Sequence, residues 1–87
     1  MNNEPLFEFP CDFPIKVMGH RSDDFQALIL GIVSRHAPDI DENQLRIQDS
    51  RNGRYRSVTV TVRAQNRDQL DAIYRDLSNH DRVVLTL

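Results

Sequence analysis

Tryptophan is absent, cysteine and lysine occur once each, and glycine and proline supply three and four of the 87 residues. Each shortage excludes something. One cysteine, Cys11, leaves no intrachain disulfide framework and no cysteine-spaced zinc site. Its neighbour Asp12 disfavours a thiolate, so Cys11 reads as an unreactive thiol. Few glycines leave no phosphate-cradling loop, and neither a nucleophile elbow nor an HExxH zinc motif occurs. These absences point away from enzyme chemistry, from a metal and from a cofactor. No apolar run approaches the ~20 residues needed to cross a bilayer. With no signal peptide or lipidation motif, the chain reads as cytoplasmic, away from membranes. Aromatics make up 7% and the net charge is −2, so the basic footprint of a dedicated nucleic-acid binder is missing.

What is present is a hairpin with a defined register. Asn52-Gly53 lies between two alternating runs, Gln44 to Ser50 and Arg54 to Ala64. Asn-Gly suits a two-residue type I′ turn, which needs positive φ at both central positions. That placement pairs Ile47 with Val58, Leu45 with Val60, Arg46 with Thr59 and Gln48 with Ser57. One face is then apolar and the other polar on both strands, and a one-residue slip would destroy the match.

The remaining chain fits around this hairpin. Residues 1–12 form a leader, with Phe7 and Phe9 free to fold back, and residues 13–87 form one domain. Phe13 to Met18 alternates as a first strand, followed by the tight connection Gly19-His20-Arg21. Ser22 reads as an N-cap, with Asp23 and Asp24 in the first turn of a helix. Phe25, Leu28, Ile29, Ile32, Val33 and His36 form its apolar stripe, and Pro38 ends it. Asp39 to Asn43 is an acidic, solvated loop that lacks the glycine and glutamate of a calcium loop. Asn66, with Gln69 three residues on, caps a second helix whose buried stripe is Leu70, Ile73, Tyr74 and Leu77. Arg82 to Leu87 is a last strand. His36 and His80 fall at helix C-termini, where an imidazolium suits the dipole.

The order βαββαβ gives an α+β, ferredoxin-like sandwich: a four-stranded antiparallel sheet with both helices on one face. Val58, Val60 and Val62 then point at the helices. Tyr55, Ser57, Thr59, Thr61 and Arg63 lie on the open face with Lys16, Met18, Arg46 and either Val84 or Thr86. An RNA-recognition motif shares this topology and stacks bases on that face. Here Tyr55 stands alone, because Ser57 and Val60 occupy the other aromatic positions. The cluster Arg51, Arg54, Tyr55, Arg56 therefore marks at most a weak nucleic-acid surface, and an Asp49–Arg56 cross-strand pair is expected to consume part of it.

Several segments resemble the YbeD-like family of small uncharacterised bacterial proteins: Phe7-Glu8-Phe9-Pro10, Lys16-Val17-Met18-Gly19, Arg35-His36-Ala37-Pro38 and Gly53-x-Tyr55-x-Ser57-Val58, in that order. The resemblance implies a ferredoxin-like fold similar to ACT-type regulatory domains, and it supplies no catalytic residues. It implies a small non-catalytic regulatory or adaptor domain binding a metabolite or a partner protein, with a homodimer formed through an edge strand. By this likeness an effector would sit at Gly19, His20 and Arg21, between the first strand and first helix. Asp23 and Asp24 would favour a zwitterion there over a phosphate.

Overall fold

The computed structural model describes residues 8–87. Phe7, and with it half of the expected fold-back of the leader, lies outside the described residues. Phe9 packs against the core. The sheet contains β1 (Cys11–His20), β2 (Leu45–Asp49), β3 (Tyr55–Ala64) and β4 (Val83–Thr86), in the order β2-β3-β1-β4. Helices α1 (Phe25–Ser34) and α2 (Arg67–Ser78) pack against it. The expected ferredoxin-like arrangement is observed.

The hairpin register is the expected one: Leu45 pairs with Val60, Arg46 with Thr59, Ile47 with Val58, Gln48 with Ser57 and Asp49 with Arg56. The turn that closes it differs. Gly53 alone has positive φ, at 74°, and Asn52 does not, which excludes a type I′ turn. Instead Gly53 N–H donates to the Ser50 carbonyl at 2.9 Å and Ser50 N–H to the Tyr55 carbonyl at 2.8 Å. The loop thus spans four residues around a tight turn rather than two, and the extra residues fall evenly on both strands, so the register survives. Asn52 acts through its side chain, whose oxygen accepts from Ser50 Oγ at 2.9 Å and Arg54 N–H at 3.0 Å. An Asx acceptor of this kind stabilises a turn without a left-handed backbone.

The first strand is longer than its alternation suggests. Cys11 and Asp12 pair with Ala64 and Arg63, and Gly19 and His20 pair with Arg56 and Tyr55. The ten residues of β3 are long enough to template all of them. Helix α1 starts later than expected. Asp24 occupies the N-cap position without a side-chain cap bond, and the first turn holds no acid. Ser22 Oγ donates to the Asp24 carboxylate at 2.9 Å instead of capping. Arg82 claims that carboxylate as well, so the acids serve a tertiary contact rather than the helix end.

Ile15, Val17, Phe25, Ile29, Val33, Val58, Val60, Val62, Ile73 and Leu77 are fully buried between sheet and helices. Each is worth ~1.5–3 kcal/mol of burial relative to an exposed position. Helix α2 begins as expected, with Asn66 Oδ1 accepting from Gln69 N–H at 2.9 Å. Gln69 reaches back one residue further than a standard capping box, to Gln65 N–H at 2.6 Å, while its amide donates to the His36 carbonyl at 2.8 Å. One side chain thereby ties the start of α2 to the end of α1. His36 Nε2 lies 2.7 Å from Asp76 Oδ2 on α2, so this ring bridges helices rather than meeting its own helix dipole. His80 Nδ1 accepts from Arg82 N–H at 3.1 Å, so this ring closes the turn into β4.

The β4 edge carries an irregularity. Val83 pairs with Gly19 and Leu85 with Met18, so Val84 is an extra residue bulged out of the ladder. The bulge decides which side chains share the open face. Leu85 lies there beside Met18, whereas Thr86 pairs with Val17 and falls on the helix side.

Candidate functional site

With both helices on one side, no element among the described residues covers the opposite sheet face, and its residues follow from strand parity. Asp12, Pro14, Lys16, Met18 and His20 come from β1, and Arg46 and Gln48 from β2. Tyr55, Ser57, Thr59, Thr61 and Arg63 come from β3, and Leu85 from β4. Leu87 extends the β4 end by exchanging backbone hydrogen bonds with Lys16 at 3.1 and 2.8 Å. Leu85 and Leu87 remain exposed.

The charges on this face are one-sided. Among the described strand residues that point to this face, Lys16, Arg46 and Arg63 are cations and Asp12 is an acid, paired with Arg63 at 3.3 Å; Asp49, turned to the helix side opposite Arg56, also borders the face. Most acids among the described residues lie elsewhere, in the turn before α1, the loop Asp39 to Glu42, and α2 with its C-terminal turn. A hollow of about 180 Å³ is lined by Lys16, Met18, Gln48, Asp49, Ser50, Tyr55 and Ser57. Its aromatic wall is partly occupied, since the Tyr55 and His20 rings stack with centroids 5.1 Å apart. Cross-strand pairing of His20 with Tyr55 puts the rings in register, an arrangement that appears once β1 is seen to reach His20.

The residues proposed for an effector diverge. Gly19 is buried on the helix side, where a Cβ would lie 2.5 Å from both the Arg82 carbonyl oxygen and Phe25 Cε1. His20 turns onto the open face against Tyr55. Arg21 reaches Asp49 at 3.1 Å, and its N–H donates to the Arg54 carbonyl at 2.9 Å. The basic hairpin divides too. Arg56 lies on the helix side, paired with Asp49 at 2.7 Å and donating to the Ser22 carbonyl and Gln26 Oε1. Arg51 and Arg54 are exposed in the turn, and Tyr55 belongs to the open face.

These pairs shift titration. The Arg56 guanidinium, with help from Arg21, holds the Asp49 carboxyl below its ordinary range, and Asp49 in turn raises Arg56. Arg82, then Ser22, lowers Asp24 strongly. His36 lowers Asp76. All are charge-assisted hydrogen bonds that favour the ionised carboxylate. Each pair joins separate segments of the chain, Arg56 and Arg21 to β2, Arg82 to the turn before α1 and His36 to α2, and so ties the fold together. Among the described residues no three His, Cys, Asp or Glu side chains converge as metal ligands, and no helix is long and apolar enough to cross a membrane.

A model of the family described as "Protein of unknown function (DUF493)" matches residues 4–87. The chain belongs to that family. The YbeD-like resemblance is thereby borne out. The UPF0250 protein NE1487 of Nitrosomonas europaea is 46% identical over 87 residues, covering all of both chains. A UPF0250 protein of Chromobacterium violaceum is 46% identical over 84 residues, 97% of this chain and 94% of that one. Among solved structures, protein HP0495 of H. pylori superimposes with a TM-score of 0.73 over 98% of this chain and 89% of its own, at 19% identity. That likeness supports the ferredoxin-like fold and nothing beyond it.

Proposed function

We propose that this DUF493 member is a small non-catalytic regulatory or adaptor domain that works by binding, and that its contact surface is the uncovered sheet face. The observation that carries the reading is charge segregation. A chain of net charge −2 presents Lys16 and Arg46 on that face, while the acids that border it, Asp12 and Asp49, are taken up by Arg63 and by Arg56 and Arg21. Met18, Leu85 and Leu87 add an apolar strip along the β1–β4 side. A protein partner with an acidic surface and an apolar anchor fits this combination, with the charges steering the encounter and the apolar strip slowing release. RNA fits less well, because Tyr55 is stacked on His20 and two further stacking rings are missing.

The test is affinity capture from bacterial lysate with the wild-type chain and with a Lys16→Glu/Arg46→Glu double variant. A protein retained by the wild type and lost by the variant, with capture weakening as salt rises, supports the reading. Identical captures by both refute it. Loss of the capture on nuclease treatment moves the assignment to nucleic acid. The small-effector version, at Gly19, His20 and Arg21, is tested by titrating labelled protein with amino acids. Saturable amide shifts confined to residues 19–25 would support it.

A further inference from the structure

The two sheet edges are built differently. At the β4 edge, Val84 bulges out of the ladder, and beyond the last pair Pro14 sits where the next β1 donor would face outward. Lys16 N–H donates to that side, so the even-numbered β1 residues face it, and proline removes one of those donors. Both are recognised devices against strand addition. The β2 edge has neither. Its five residues, Leu-Arg-Ile-Gln-Asp, pair with β3 without a register shift. Ser50 N–H donates to Tyr55 in the hairpin, so the even-numbered residues of β2 bond inward and Ile47 and Asp49 turn their N–H and C=O groups outward, while Leu45 N–H donates to the Glu42 carbonyl in the turn before the strand.

Beside that edge, on the helix side, lies a groove of about 380 Å³. Gln26, Ala27 and Leu30 of α1 form one wall, and Leu45 and Ile47 of β2 the other, with Glu42 at one end. Ile47 is 44% exposed. The α1 wall is unusual for a surface helix. From Phe25 to Ser34 it carries no charged residue, in a chain that is 28% charged. A helix with no charged face is expected to be covered on more than one side. Glu42 is the one charged side chain lining the groove. The Arg56 guanidinium, which reaches Gln26 on the α1 wall, is engaged there and by Asp49 and the Ser22 carbonyl.

The geometry points to a peptide-binding site: an extended segment of a partner protein adds as a fifth strand along β2, with alternate apolar side chains in the α1–β2 groove and a Lys or Arg at the Glu42 end. Backbone groups of Ile47 and Asp49 supply affinity without regard to sequence. The groove selects apolar side chains at every second position, and Glu42 selects the cation. This surface is separate from the open face and does not depend on it.

The probe is a fluorescein-labelled peptide of alternating valine and threonine with a terminal lysine, and a second in which glutamate replaces the lysine. Saturable binding of the lysine peptide is expected, with amide shifts at residues 26–30 and 42–49. Ile47→Asp should weaken it about tenfold or more, because an apolar anchor is lost. Glu42→Lys should reverse the preference between the two peptides. Ile47 and Glu42 are exposed, and circular dichroism with thermal melting checks that both variants fold. Lys16→Glu, on the opposite face, should leave peptide binding unchanged. No binding of either peptide up to millimolar concentration overturns the proposal. Shifts confined to the open face also overturn it while sparing the open-face reading. Self-association that Ile47→Asp abolishes, without peptide binding, would assign the edge to a second copy and overturn it equally.

Discussion

Gly19→Ala separates packing from ligand chemistry at the position where sequence reasoning placed an effector. Gly19 has no positive φ, so alanine is compatible with its backbone, and the lost flexibility of the unfolded chain would favour the variant by ~0.4–1 kcal/mol. The space argues the other way. The new Cβ would lie 2.5 Å from the Arg82 carbonyl oxygen and from Phe25 Cε1, and 2.6 Å from Phe25 Cζ. The carbonyl is backbone and leads into β4, so relief requires moving the strand that pairs Val83 with Gly19. Phe25 is fully buried and cannot swing into solvent. Overpacking of this kind costs ~1–3 kcal/mol, and the net expected loss is about 1–2 kcal/mol. For a domain of this size that lowers Tm by ~4–16 °C.

The assay is thermal and urea unfolding of the wild type, Gly19→Ala, Phe25→Leu and the double variant. The smaller leucine side chain relieves part of the clash, so the double variant should lose less than the sum of the singles. An alanine variant as stable as the wild type would refute the reasoning, because Gly19 would then be free of its packing role.

Val60 is fully buried at the centre of the hairpin register, and Val60→Ala should cost on the order of 1–3 kcal/mol in urea unfolding. Asn66→Ala removes the acceptor for Gln69 N–H and should cost ~0.5–2 kcal/mol, read as a lower urea midpoint. Asp24, Asp49 and Asp76 are all held below their ordinary values by folded-state partners. The unfolded chain therefore takes up protons first as pH falls. The stability these pairs contribute is fully present above about pH 4 and is lost as pH drops through the folded values. Urea midpoints should hold from about pH 6 to about pH 4 and fall below that, and fall less in Asp49→Asn, which has one such carboxylate fewer. RNA binding should be weak and salt-sensitive; sub-micromolar binding at physiological salt that Tyr55→Ala abolishes would contradict this.

The parts of the fold legible in the sequence are those with a period. Alternation in Leu45 to Asp49 and Tyr55 to Ala64 defines the sheet register whether the turn takes two residues or four. The helical stripes of Phe25 to Val33 and Leu70 to Leu77 are likewise recovered in the core. What stayed hidden depends on partners far along the chain. Ser22 and Asp24 have the local signature of a helix start, yet Arg82, 58 residues beyond Asp24, takes the carboxylate. Gly19 has the signature of a flexible loop, yet it is a strand residue emptied of a side chain to admit Phe25. The Val84 bulge left no mark in a run of apolar residues, and it decided whether Leu85 or Thr86 joins the open face. The groove beside β2 did have a sequence signal, the absence of charge along all of α1, but an apolar stripe and an apolar cylinder look alike until the outward residues are counted.

The two surfaces fit together physically because they occupy opposite margins of one sheet. The α1–β2 groove lies at the β2 edge on the helix side, whereas Leu85 and Leu87 border the β4 edge on the open side. In the order β2-β3-β1-β4, three inter-strand spacings separate those edges, roughly 14 Å, and the sheet itself stands between the two faces. An extended segment at β2 would therefore leave Lys16, Leu85 and Leu87 free and would meet the proposed open-face surface only at Arg46, which stands on β2. The two surfaces also differ in charge: the groove ends in Glu42 and the open face carries Lys16 and Arg46. Each surface repels what the other attracts, so one partner cannot readily satisfy both. On the adaptor reading proposed above, a domain too small to enclose a large pocket would spread its recognition over an edge and a face, as this topology permits.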